Sequence, residues 1–113
     1  MAVAYKVLGQ KQGTAAVGTY TSLNGPGVGK QWLVSTIVIC NQAASAMTYR
    51  LAIAQTANAS APVTSEFIVF GSSVPANDTV TLTLGITLES GYVIVGSSSA
   101  NTSSFSVFGT EIS

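Results

Sequence analysis

The chain has 113 residues, with four Lys or Arg, four Asp or Glu, no His and one Cys. Charged residues make up 7% of it, against roughly 25% in an average soluble domain, and 15 Ser and 13 Thr stand in their place. This composition offers no basic patch for nucleic acid, no imidazole for triad or metal chemistry, and no second thiol for an intrachain disulfide.

The length suits one domain, residues 1–113, with a single core and no linker. The start, Met1-Ala2-Val3-Ala4-Tyr5-Lys6-Val7-Leu8-Gly9, lacks the basic region and apolar run of a secretory signal. No apolar segment approaches the 18 or so residues of a membrane span. The expectation is a soluble protein synthesised in the cytoplasm, with no membrane contact.

Residues 1–12 form a possible N-terminal arm or edge strand, with Tyr5–Leu8 as its strand-like part. Val17–Leu23 reads as a second strand, closed by the turn Asn24-Gly25-Pro26-Gly27. Gly25–Lys30 invites comparison with a phosphate-binding loop, but Asn24 and Gln31 occupy positions that need Gly and Ser or Thr. A strand follows rather than a helix, so the segment reads as a glycine turn. In Gln31–Cys40, Trp32, Val34, Val38 and Cys40 alternate with Leu33, Ile37 and Ile39. That is the pattern of a central strand covered on both faces, with Cys40 as a small core residue.

After the turn Asn41–Ser45, the strand Met47–Gln55 sets Tyr49, Leu51 and Ile53 on one face and Arg50 on the other. Ala52–Ala61 is the best helix candidate, limited by Asn58 and Pro62. Glu66–Phe70 is a short strand, and Ser72–Asp78 is a loop in which Asp78 reads as a strand-entry residue bonded to nearby backbone. From Thr79 to Thr87, Val80, Leu82, Leu84 and Ile86 point one way and Thr79, Thr81, Thr83 and Thr87 the other, a half-buried strand. Tyr92–Gly96 and Phe105–Ile112 complete the set, separated by Ser97–Ser103. About eight strands with Gly, Pro, Asn and Ser breaks predict an all-β, antiparallel β-sandwich or jelly-roll-like fold.

Little in the chain suggests chemistry. Glu66, Asp78, Glu89 and Glu111 stand isolated in the sequence, whereas glycoside hydrolysis needs two facing carboxylates. Asn58, Asn77 and Asn101 open glycosylation sequons that without an export signal read as loop asparagines. The aromatics Trp32, Tyr49, Phe67, Phe70, Phe105 and Phe108 read mostly as core; Phe105 and Phe108, three residues apart, fall on opposite faces of one strand, so one of the two suits an intersubunit surface. No catalytic residue, cofactor or metal site is expected. Edges and surfaces of free β-proteins usually carry charge, so its scarcity points to a surface lying against other subunits, where charge is costly to desolvate.

Several segments resemble a family of small virion structural proteins of tailed bacteriophages, especially cyanophages. They are Tyr5–Gln10, Val34–Asn41, Thr48–Ile53, Pro75–Leu88 and Phe105–Ser113, in order along nearly the whole chain. Thr21–Val28 departs from the family pattern, being longer than its usual proline-containing turn. The resemblance implies a non-enzymatic capsid decoration or cement protein on the phage head surface. It would stabilise the shell by binding the major capsid protein, as a homo-oligomer with a trimer favoured. Tyr5 and Lys6 on the arm, with Trp32, Arg50 and Phe108, are the interface candidates. The rivals are a tail, neck or fibre component and a carbohydrate-binding adhesion module, for which Trp32 or Tyr92 would have to be exposed.

Overall fold

The structure is a computed structural model that describes residues 2–113. Eight strands follow one another: β1 (Val3–Gln12), β2 (Thr21–Ser22), β3 (Gln31–Asn41), β4 (Met47–Gln55), β5 (Phe67–Val74), β6 (Thr79–Glu89), β7 (Tyr92–Ser98) and β8 (Ser103–Ile112). They form two four-stranded sheets, β1-β8-β3-β6 and β2-β7-β4-β5, with every pairing antiparallel. Each sheet draws strands from both halves of the chain, the interleaving of an eight-stranded jelly roll. The fold class expected from alternation is the one observed.

The two inner faces enclose the core. Val34, Ile37 and Ile39 of β3 and Phe105 and Val107 of β8 meet Leu51 of β4 and Ile94 of β7, all fully buried. Each such side chain contributes about 1.5–3 kcal/mol by leaving water. The β6 alternation holds as read, with its threonines exposed and its aliphatic row turned inward.

The sequence reading of β3 needs a correction. Its pairing register shifts between Val34 and Thr36 against both β6 and β8. Trp32 and Val34 face inward before the shift, Ile37, Ile39 and Asn41 after it. One extra residue exchanges the two faces of everything beyond it. β3 is therefore covered on one side only, and Cys40 lies half-buried on the outer side rather than in the core.

Other boundaries move as well. Residues 3–12 are an edge strand, not a free arm: β1 pairs with β8 along its length, from Val3 opposite Ile112 to Gln12 opposite Ser104. Met1 lies outside the described residues. Only Thr21–Ser22 of the expected Val17–Leu23 strand pairs, against Gly96 and Val95 of β7. Ala52–Ala61 is no helix; β4 runs to Gln55, and a single 3-10 turn, Thr56–Asn58, follows. The Glu66 carboxylate holds this connection, accepting from the Gln55 and Val63 amides at 2.9 Å each. Asp78 enters β6 as expected, its Oδ1 accepting from the Thr79 amide at 2.8 Å.

Candidate functional site

The outer faces of the two sheets differ. On the β2-β7-β4-β5 sheet, Ala52 and Ala54 of β4 and Val95 of β7 are fully buried although they point away from the main core. Tyr20 from the loop before β2, Ala59 from the connection after β4, and Phe67 pack over them. Arg50 belongs to this cover. Its guanidinium lies 3.9 Å from the Phe70 ring centre, and Nη1 donates to the Tyr20 hydroxyl at 2.9 Å, so its charge is shared within the molecule. Phe67 and Phe70 stack edge-on, 5.0 Å apart. Neither is in the main core, and Phe70 is 63% exposed, which corrects the sequence reading. With Pro62 and Thr64 they line a hollow of about 350 Å³.

Among the described residues, the β1-β8-β3-β6 sheet has no such cover, and Val3, Tyr5, Val7 and Leu33 are exposed. Register places Val3, Tyr5 and Val7 of β1 on its outer face together with Phe108 and Thr110 of β8 and Leu33 of β3. Tyr5 stands opposite Thr110, Val7 opposite Phe108, and Thr110 also opposite Leu33. Tyr5, Val7, Leu33 and Phe108 line an open groove of about 640 Å³ together with Ser35 and Thr110. Tyr5 is 87% exposed. The rest of the face is mostly Ser, Thr and Gln; Gln10 Nε2 donates to Ser106 Oγ across it at 3.3 Å. Among the described residues, Glu89 at the far end of β6 is the only charged one that register turns to this side.

Charge is gathered instead at one end of the sandwich. Glu111 accepts from Lys6 Nζ at 2.8 Å through Oε1 and from Trp32 Nε1 at 2.9 Å through Oε2, with Lys30 Nζ at 3.7 Å. The hydrogen bond from Lys6, then that from Trp32, lowers the Glu111 pKa from 4.5 to about 2, with the charge of Lys30 adding to them against partial desolvation.

Of the five interface candidates, the structure brings Tyr5 and Phe108 together on the bare face, and Lys6 lines the same groove while tied to Glu111. Trp32 is only 3% exposed and is removed from the surface by its inward position on β3. Arg50 sits on the opposite sheet. The sequence alone does not single out Val7 or Leu33; alternation from Tyr5 points to Val7, whereas Leu33 falls on a strand whose pattern looks covered on both faces. Among the described residues, no three His, Cys, Asp or Glu side chains gather as metal ligands would.

In sequence, neither a protein-family profile nor a curated protein matches the chain. Solved structures do match in shape. A chain of the T13 viral particle of infectious bursal disease virus superposes with a TM-score of 0.55 at 8% identity, over 97% of this chain and 30% of that one. The Gx strain of the same virus gives 0.53 at 11%, over 97% and 32%. The Drosophila NLP core, described for pentamer formation and histone binding, gives 0.52 at 11% over the full length of both. The chain thus spans about a third of the viral chains it matches. At these identities the likeness is one of fold.

Proposed function

We propose that this protein is a non-enzymatic virion structural protein that decorates a phage head. The observation that carries the reading is the bare face of the β1-β8-β3-β6 sheet, apolar at one end and nearly free of charge, on a fold whose other outer face is partly covered by its own loops. The ordered resemblance to tailed-phage virion proteins and the fold shared with viral particle chains support it. In this reading the Tyr5–Phe108 groove seats on the major capsid protein, and self-association joins neighbouring copies. Hundreds of weak clamps add up to resist the outward push of packaged DNA. The face also suits desolvation: Ser and Thr hydroxyls keep it hydrated before docking and exchange water for shell partners afterwards. The sugar-binding alternative is poorly served, because Trp32 is in the core and Tyr92 packs against it.

The test is direct. Antibody-labelled particles viewed by electron microscopy should carry label over the shell, and particles lacking the protein should lose DNA at a lower temperature. Tyr5→Asp with Phe108→Asp, both outward-facing, should abolish shell binding while the purified variant keeps its β-sheet circular dichroism. Label confined to the tail, or unaltered binding by the double variant, contradicts the reading.

A further inference from the structure

Four strands end the two sheets, and they are protected to different degrees. β2 has two residues. β5 meets β4 with two register shifts and carries Gly71 at φ +85°. β1 has Lys6 and Lys11 and a register shift between Val7 and Gly9. Short length, irregularity and lysine are the devices by which native proteins keep sheet edges from pairing with other chains. β6 has neither short length nor lysine, and its one irregularity is the register shift against β3 between Thr83 and Ile86. It runs eleven residues, TVTLTLGITLE, with unbroken in–out alternation, no Lys, no Pro and its one charge at the last position.

Its inner row is also incompletely covered. Val80, Leu82, Leu84 and Ile86 pack against the core but stay half-buried, whereas Val34, Ile37 and Ile39 on neighbouring β3 are fully buried. The difference follows from position, since β6 is the last strand of its sheet and no described strand pairs with its free side. Unpaired backbone and half-covered aliphatic side chains therefore lie along the same line.

We propose that β6 pairs with β6 of a second copy of this chain, antiparallel about a two-fold axis at Leu84, joining two four-stranded sheets into one of eight. The strand is self-complementary in that register. Val80 meets Leu88, Leu82 meets Ile86 and Leu84 meets itself, so aliphatic side chains fall together on the inner side. Thr81 meets Thr87 on the outer side. Glu89 meets Thr79, so no like charges stand opposite one another, and the chain's zero net charge sets up no long-range repulsion between copies. An isologous pairing closes after two chains and leaves no further β6 edge to extend. The proposal does not depend on the head-decoration reading, because the Tyr5–Phe108 groove lies at the other edge of the sheet.

Sedimentation of the purified full chain tests it. The wild type should run at twice the monomer mass. Thr81→Lys with Thr87→Lys, at exposed positions outside the core, should halve that mass with unchanged circular dichroism and melting. Thr81→Glu with Thr87→Glu should do the same, and an equimolar mixture of the two variants should recover the dimer, because each Lys then faces a Glu. As a readout that needs no variant, hydrogen exchange of β6 amides should slow with rising protein concentration while exchange of β1 amides does not. A wild type that is monomeric or trimeric, a dimer that survives the paired lysines, or a mixture that stays monomeric overturns the proposal.

Discussion

Glu111 draws together residues far apart in the chain: Lys6 on β1, Trp32 on β3, and Lys30 just before it. None of this is visible along the sequence, where Glu111 is an isolated acid two residues from the end. It comes from register alone, since Ala4 and Trp32 both stand opposite Glu111. Because folding lowers the Glu111 pKa from 4.5 to about 2, the ionised carboxylate favours the native state. That contribution is complete above about pH 4.5 and is lost as the pH falls toward 2. Glu66, also lowered by backbone hydrogen bonds from Gln55 and Val63, adds to the same acid loss. Glu111→Gln should therefore lower the melting temperature at neutral pH and flatten its fall between pH 4.5 and 2, leaving the Glu66 share. Trp32 is the single tryptophan, so its fluorescence should titrate near pH 2 in the wild type and not in the variant. Parallel melting curves across that range would contradict the assignment. Phe105 and Phe108 show the opposite case, a pair legible in advance: three positions apart on one strand, one is fully buried and the other lines the outer groove.

Strands are legible where apolar and polar residues alternate, as in β6, and misread where apolar residues occur at both parities, as in β3 and at the Ala52–Ala54 end of β4. Nothing in Gln31–Cys40 marks Ser35 as the point where β3 changes face, because apolar residues occur at both parities. The shift is a property of four strands together: β1 slips between Val7 and Gly9 against β8, and β3 between Val34 and Thr36 against β8 and β6. At this level the strands approach closely. A Cβ on Gly109 would meet the Leu33 carbonyl oxygen and lie 3.0 Å from Val34 Cα, backbone that cannot step aside. On the free edge a Cβ on Gly85 would meet nothing within 4 Å. Gly109→Ala should cost about 1–3 kcal/mol, the usual range for overpacking. Gly85→Ala should stay within about 0.5 kcal/mol of wild type, as surface substitutions do. Urea unfolding of the two variants checks both, and equal losses would contradict this account of the bulged layer. The N-terminal strand was ambiguous for a related reason. β1 carries lysines and glutamines along with its apolar positions, and only its pairing with β8, about a hundred residues away, distinguishes an edge strand from an arm.

At the scale of the whole molecule, the hydroxyl content divides in two. Some of it is internal: Ser98 is buried and bonded to Thr14, Ala100 and Ser103, which ties the loops at one end of the sandwich without any charge. Much of the rest lies on the bare outer sheet, while Lys6, Lys30 and Glu111 cluster at its end and Arg50 is held on the opposite face. The sequence told how scarce charge is but not where it lies, because its placement depends on which strands become neighbours. That placement separates two kinds of docking. Recognition through ion pairs weakens with salt, as the Debye length falls from about 10 Å at 0.1 M to about 3 Å at 1 M. Recognition through an uncharged face of Tyr5, Val7, Leu33 and Phe108 has no such term, and salts excluded from protein surfaces strengthen apolar burial. Binding of the purified protein to particles stripped of it should therefore hold its Kd from low to high sodium chloride and tighten in sodium sulfate. A tenfold loss in sodium chloride, about 1.4 kcal/mol, would instead place the contact at the Lys6–Glu111–Lys30 end, and Lys6→Gln would then weaken binding more than Tyr5→Asp.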